Sequence, residues 1–479
     1  MKIFRMTCVF AGFLSLALSL SGQTLDTLHS FDDTDGSEPT ARLIQAIDGN
    51  FYGTTYGGGA NNFGTIFKIS PTGAFTTLYN FCSLSLCTDG QAPNGGLVQA
   101  TNGSFYGTTY AGGADYGTVF ELTTNGNQTT LKTLYTFCAQ GHGDCPDGDG
   151  PTGTLVQGTD GNFYGTTWEG GNYFGYCPYG CGTVFKITPA GVLTTLHSFG
   201  STNDGYNPLV SGLIQGSNGN LYGTTTASLT GFGTIFEITR SGTLTVLQTF
   251  DDTDGSTPLG GLLQTSNGDF YGTTEIGGAN TVGTVFEMSP ADALTTLYSF
   301  CPLSGCTDGE APYAGLVEAT DRNFYGATYL GGTNSGGTLF KITSGGTLTT
   351  LYRFCSQSGC PDGGNARGGL VQGTDGNLYG TTSDLGTGGG GTVFRLSVGL
   401  APFVALDPSS GRVGATIKIL GQGFTGTTSV SFNGTAATFT IRSGTYLSAT
   451  VPTGATTGYV SVVTPGGTLK SSQQFHITP

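Results

Sequence analysis

Residues 97–137 read LVQATNGSFYGTTYAGGADYGTVFELTTNGNQTTLKTLYTF, and this stretch holds the unit from which most of the chain is built. Four runs of apolar and β-branched residues lie in it: LVQA (97–100), FYGTT (105–109), GTVFEL (117–122) and LKTLYTF (131–137). Each has the length and residue types of a strand. The Phe/Leu-Tyr-Gly tripeptide recurs with its Tyr at 52, 106, 164, 222, 271, 325 and 379, seven copies at spacings of 49 to 58 residues. Such self-similarity marks a repeat architecture. The first two runs are separated by Asp48-Gly49, Asn102-Gly103, Asp160-Gly161, Asn218-Gly219, Asn267-Gly268 and Asp375-Gly376. Both central residues of a two-residue hairpin turn take positive φ, which Asn, Asp and Gly tolerate best, so tight hairpins are expected here. Copy six has Asp321-Arg322-Asn323 instead, which predicts a longer or strained turn. Segments such as Ser70-Pro71-Thr72-Gly73 join the third run to the fourth, and each copy reads as a four-stranded antiparallel meander.

Seven such units predict an all-β fold, a seven-bladed β-propeller over residues 24–398, because a closed ring leaves few strand edges unprotected. The last copy ends at GTVFRLS (391–397) without a fourth strand, while the chain offers one at LDTLHSF (25–31). That N-terminal strand is expected to complete the last blade beside Thr392 to Leu396. An open solenoid would need capping units at both ends.

With strands named a to d outward from the axis, alternating direction puts the a-b and c-d turns on one face. The b-c and d-a loops fall on the other, where binding is expected because variable loops on a rigid scaffold carry function. Ten cysteines form five close pairs: Cys82 with Cys87, Cys138 with Cys145, Cys177 with Cys181, Cys301 with Cys306, and Cys355 with Cys360. Four pairs lie in d-a loops. In those loops the strand-d Phe is 8 or 10 residues from the next Asp-Gly, against 4 or 5 in the three loops without cysteine. Disulfide staples for inserted loops account for this, and the absence of C-x-x-C pairs and of a His cluster argues against zinc.

Every d-a loop carries Asp-Gly or a variant, at Asp35, Asp89, Asp147, Asp204, Asp254, Asp308 and Asp362. A turn role, with Asp accepting N–H bonds two residues on, is the plain expectation. The sharper one makes Asp32, Asp33, Asp35, Asp251, Asp252 and Asp254 ligands of calcium, a cation that favours clustered oxygens. No cofactor is otherwise expected. After Gly-Thr-Thr (Gly-Ala-Thr in copy six), strand b ends at Tyr56, Tyr110, Trp168, Thr226, Glu275, Tyr329 and Ser383. The third b-c loop adds Tyr173, Phe174, Tyr176 and Tyr179 between the only Trp and a cysteine pair. The aromatic members of both sets are the candidate binding residues, as flat surfaces for a sugar or protein; packing between blades is the competing account. No catalytic residue is assigned: G-x-S-x-G, H-E-x-x-H and the P-loop pattern are missing. His29 and His197 take a strand-d position that is Tyr in other copies, so packing explains them.

Glycine makes up 85 of 479 residues, which suits short strands and tight turns. Lys2 and Arg5, the apolar run Met6 to Leu20 and then Ser21 and Gly22 read as an export signal over residues 1–22. The expected product is secreted or held at the cell surface, with no transmembrane segment in the mature chain. Without Lys2 and Arg5 the net charge is −17. That charge disfavours nucleic acid as a partner.

Residues 402–479 abandon the repeat and alternate through Thr416 to Leu420, Ser429 to Phe432 and Tyr459 to Val463, a β-sandwich pattern. Pro408-Ser-Ser-Gly411, Gly421-Gln-Gly-Phe424, Val430-Ser-Phe-Asn-Gly434, Ala449-Thr-Val-Pro452 and Gly458-Tyr-Val-Ser-Val462 resemble the IPT/TIG immunoglobulin-like family. That resemblance implies a spacer or interaction module. The repeats, with FYGTTYGGGANNFGTIFKI (51–69) as example, resemble the GloVer tandem-repeat family of exported bacterial proteins. It implies export and little more about function. The expected function is extracellular binding or adhesion to glycan or protein through the loop face, by a monomer that is not an enzyme. A propeller-type polysaccharide hydrolase or lyase using Asp/Glu, and a structural surface-layer component, are the alternatives.

Overall fold

The structure, a computed structural model, describes residues 23–126, 128–139, 145–174, 177–201, 203–208, 212–228, 231–302, 304–332 and 334–478. The expected export signal lies outside these residues. Among them, the repeats form seven sheets, each with a four-stranded antiparallel path in the order a-b-c-d. In sheet 1 these strands are Ile44–Gln45, Phe51–Thr55, Thr65–Ile69 and Phe75–Asn80. Sheet 3 adds a short strand, Asp149–Pro151, beside the end of its strand b.

The repeat motif explains the packing. Successive strand residues face opposite sides, so the Phe and Tyr of Phe-Tyr-Gly enter different inter-sheet layers. Each Tyr therefore meets the first strand-b residue of the next sheet. Tyr52 stacks on Phe105 at 4.3 Å between centroids, Tyr106 on Phe163 at 4.1 Å and Tyr271 on Phe324 at 4.1 Å. The Gly that follows lies across from a strand-c Phe; a Cβ on Gly53 would sit 2.6 Å from the Phe67 ring. At the end of strand b, a buried Thr of each sheet bonds a strand-c Thr, as Thr55 does Thr65 at 2.8 Å.

This succession returns to its start. Thr24–Ser30 pairs antiparallel with Thr392–Ser397 as the outer strand of sheet 7. The register skips a residue between Thr27 and His29, the same bulge that strands c and d show between Ile66 and Phe67 in sheet 1. Tyr379 of sheet 7 then stacks on Phe51 of sheet 1 at 3.9 Å, and Thr374 N–H donates to Gln45 Oε1 at 2.9 Å. The latter repeats a bond made between earlier sheets, such as Ile47 N–H to Gln99 Oε1.

One expectation about the turns needs correction, and the one for copy six is met in its second form. The a-b hairpin loops hold three residues, closed by Gly49 N–H to Ala46 O and Ala46 N–H to Asn50 O, both 2.9 Å. Only the glycine takes positive φ, 81° at Gly49. A type I turn followed by one left-handed residue matches strand twist as well as a two-residue turn does. Asp48 serves instead as an acceptor for Asn50 N–H and Tyr52 O–H. Copy six is no longer than the rest: Ala319 and Asn323 bond as Ala46 and Asn50 do. Arg322 takes the glycine conformation there, at φ 64°, so the turn is strained.

Residues 405–477 form two further sheets, Ala405–Asp407, Thr416–Leu420, Tyr446–Thr450 and Phe439–Ile441 in one, and Ser410–Gly411, Gly467–Ile477, Gly458–Thr464, Ser429–Phe432 and Thr435–Ala437 in the other. Ile419, Phe424, Val430, Phe432, Val460 and Phe475 share one core between them. This tail does not stand off as a spacer. It rests on the a-b turns of four sheets, through Thr445 to Ile47 O at 3.2 Å, Lys418 to Thr101 O at 3.0 Å, Arg322 to Tyr459 Oη at 2.8 Å and Gln422 to Thr374 Oγ1 at 3.0 Å.

Candidate functional site

The inner strands surround a cavity of about 620 Å³, lined in turn by Ile44, Val98, Val156, Ile214, Leu262, Leu316 and Val371. At the turn end Phe403, Leu406 and Leu420 of the tail segment line it as well. The other end is bordered by the d-a loops, through Thr40, Asn94, Tyr313 and Arg367. The channel mouth thus lies on the loop face.

The residue after Gly-Thr-Thr lies on the same loop face, and in six of the seven sheets its backbone N–H is bonded to the d-a loop that leads into that sheet; in sheet 3 Trp168 instead lies within the extended strand b. Tyr56 N–H donates to Glu38 O, Tyr110 N–H to Ala92 O and Tyr329 N–H to Ala311 O, at 2.9 to 3.0 Å. Tyr56, Tyr110, Trp168 and Tyr329 are all half-buried. Tyr110 and Trp168 lie 6.2 Å apart by ring centroid. Tyr110 also packs against Gly150 of the next sheet, where a Cβ would come within 2.9 Å of the ring. The ring is therefore part of the wall between sheets, with its remaining surface open to solvent on the loop face.

Two carboxylates join this aromatic group. Asp149 pairs across the strands with Glu169, the residue after Trp168. Burial, and then the charge of Glu169, push the Asp149 carboxyl up to about 7. Burial raises Glu169 too. On the far side of the mouth Arg367 lies over Tyr313 at 5.3 Å and Tyr329 at 4.8 Å, and donates to Tyr329 Oη at 3.2 Å. Its Nε is buried with no hydrogen-bond partner. Arg367 also holds down the Glu275 carboxyl, which burial otherwise raises.

The remaining aromatics of the third b-c loop are not gathered into this group. Tyr173 Oη accepts Cys145 N–H at 2.9 Å and so braces a d-a loop. Phe174 and Tyr179 are 41% and 69% exposed. Tyr176 lies outside the described residues.

The expected cysteine pairs are all joined as disulfides. Cys82 bonds Cys87, Cys138 bonds Cys145, Cys301 bonds Cys306 and Cys355 bonds Cys360, each within one d-a loop. Cys177 bonds Cys181 within the third b-c loop.

The acidic loops are organised by their own turns. Asp32 accepts Thr34 N–H and O–H, and Asp251 accepts those of Thr253. Asp35 faces His29 at 2.8 Å and Asp254 accepts Asp251 N–H at 3.0 Å. Asp33 and Asp252 take left-handed φ and hold the loop by their carbonyls. Among the described residues no group of three or more His, Cys, Asp or Glu is placed to hold a metal ion. The same Asp position bonds strand d in other sheets, Asp89 with Tyr79 at 2.7 Å and Asp204 with His197 at 2.9 Å.

Asp149, Glu169 and Arg367 were not among the residues expected from sequence. Their signal was positional: each breaks a register that small or uncharged residues occupy in most copies.

Similarity to known structures is one of fold. A fungal alcohol oxidase of the AA5 family, in complex with copper, matches with TM-score 0.51 at 11% identity, over 96% of this chain and 99% of that one. A periplasmic gluconolactonase from Pseudomonas aeruginosa matches with TM-score 0.43 at 17% identity, over 65% and 84%. An auxiliary nutrient binding protein from Bacteroides ovatus matches with TM-score 0.41 at 10% identity, over 78% and 76%. A search of curated protein sequences found no match. No helix among the described residues is long and apolar enough to cross a membrane. The family model described as the Gloeobacter/Verrucomicrobia repeat matches residues 16–146, 142–307 and 302–446, and the chain belongs to that repeat family.

Proposed function

We propose that this chain is an exported glycan-binding protein, a closed seven-bladed propeller whose loop-face mouth receives the ligand. In this reading the IPT/TIG-like, immunoglobulin-like tail stoppers the opposite end. The observation that carries it is that Tyr56, Tyr110 and Trp168 hold one repeat position in three successive sheets, with the Tyr110 and Trp168 rings 6.2 Å apart and Trp168 next to Glu169, which pairs with Asp149. Aromatic faces suit the C–H surfaces of a sugar ring, and carboxylates accept from its hydroxyls. Five disulfides in the loops of this face suit an oxidising compartment.

Trp168 is the only tryptophan, so emission excited selectively over tyrosine reports on its surroundings alone. Titration with a panel of oligosaccharides should shift or quench the emission saturably, and Trp168→Phe should weaken binding measured by calorimetry. A panel that leaves emission unchanged and gives no heat rejects the reading.

A polysaccharide hydrolase or lyase is favoured by one specific feature, a carboxyl near pKa 7 beside a second carboxylate. Sustained release of product, abolished by Asp149→Asn, would establish it in place of simple binding.

A further inference from the structure

The interior of the channel holds a charge that the mouth does not explain. Arg42 lines the cavity directly before the buried Leu43 of sheet 1. The residue in that register is Gly96, Thr154, Gly212, Gly261, Gly315 and Gly369 in the other six sheets. Small residues there leave the lumen clear, and sheet 1 alone sends a long cationic side chain into it. Its Cδ comes within 3.5 Å of where a Cβ on Gly369 would stand, so the chain reaches along the wall toward sheet 7.

The two arginines of the channel differ in how their charge is met. Arg367 at the mouth lies between two tyrosine rings, with Asp384 and Glu275 acting on it. Arg42 has no hydrogen-bond acceptor and no carboxylate at its guanidinium among the described residues. Water reaches it, yet the surrounding wall lowers its pKa, with no neighbouring charge to oppose that effect. Guanidinium remains charged even so. The guanidinium is reached by water and meets no protein acceptor among the described residues, so an anion entering the lumen can pair with it. The planar fork of donors matches a carboxylate in particular. Asp149, Glu169, Glu275 and Asp384 round the rim disfavour a polyanion lying across the mouth.

Resting on the glycan reading of the mouth, we infer that Arg42 receives a single carboxylate at the end of an otherwise neutral oligosaccharide, an aldonic or uronic acid terminus that enters the lumen while its sugars contact the rim.

The test uses the full chain and matched pairs of probes: glucose, xylose, mannose and galactose oligosaccharides, each oxidised at the reducing end to the aldonic acid or reduced to the alditol. Calorimetry is expected to show at least one acid bound tenfold or more tightly than its alditol. Arg42→Gly, which installs the residue of five other sheets and so spares the fold, should erase that preference and leave alditol affinity unchanged. Equal affinity for acid and alditol overturns the inference while leaving the mouth as a glycan site. A preference that survives in Arg42→Gly overturns it as well. Sodium sulfate bound as tightly as the best acid would make this a bare-anion site and overturn the carbohydrate assignment. No binding by any probe overturns both readings.

Discussion

The two ends of the channel are built from the same repeat and differ in what varies. At the turn end each sheet offers nearly the same loop, with glycine in the left-handed position of six, and the tail rests on it. At the loop end the corresponding residue is Tyr, Tyr, Trp, Thr, Glu, Tyr and Ser in successive sheets, on loops of unequal length. Residues that recur in every sheet satisfy constraints every sheet shares, such as ring stacking and the Thr–Thr bond. Residues that differ at a fixed backbone position answer to something not seven-fold, and a ligand on the axis is such a thing.

If that division is correct, variants at shared positions should damage stability and variants at the mouth should damage binding. The largest effect is expected at the seam. Phe51→Ala removes a fully buried ring stacked on Tyr379, and should cost about 3–5 kcal/mol. Thermal or denaturant unfolding would show it, with sugar affinity of the folded fraction unchanged. Trp168→Ala should do the reverse: at least a tenfold loss of affinity, about 1.4 kcal/mol, with a small change in melting temperature. A large fall in stability without loss of binding would place Trp168 with the scaffold.

Protonation offers a third contrast. Burial raises Asp149 to about 7 in the fold, with the charges of Glu169 and Asp147 adding to it. Between pH 4 and 7 the folded state then holds a proton that the unfolded state has released, so this group makes stability fall as pH rises across that window. Screening at a half-exposed mouth limits the effect to about 1 kcal/mol. Asp149→Asn should flatten that part of the stability profile and be more stable than the parent at pH 8. An unchanged profile would show that Asp149 ionises at its ordinary pH.

The smallest effect belongs to the turn end. Arg322→Gly relieves a left-handed non-glycine residue, worth about 0.5–1 kcal/mol, and gives up the bonds to Glu318 and Tyr459. These oppose each other, so the net change should stay within about 0.5 kcal/mol. A larger loss, matched by Tyr459→Phe, would mean that the tail depends on this one contact.

Much of the scaffold was legible in the sequence because its constraints are local and repeated. Phe-Tyr-Gly, Asx-Gly and the paired cysteines each state a strand, a turn or a staple within a few residues. The missing fourth strand of the last copy pointed to Leu25–Phe31 because a ring cannot spare one. Turn length was misread, since Asp48-Gly49 is compatible with loops of two or three residues and the choice lies in strand register. The contact of the tail with Ile47, Thr101 and Thr374 was hidden, because it joins distant parts of the chain through ordinary polar groups. The proposed site was half visible: aromatic residues at the end of strand b stood out by type, whereas Arg42 and Asp149 acquire meaning only once the sheets are set beside one another.

Hydrogen exchange of the full chain, with and without the oligosaccharide that most strongly perturbs Trp168, tests the division between the two ends most directly. Added protection should fall on residues 56–64, 110–117, 149–150 and 168–174 of the loop face, with none at the a-b turns or in the tail. Protection centred on the a-b turns or on residues 405–477 would contradict the account.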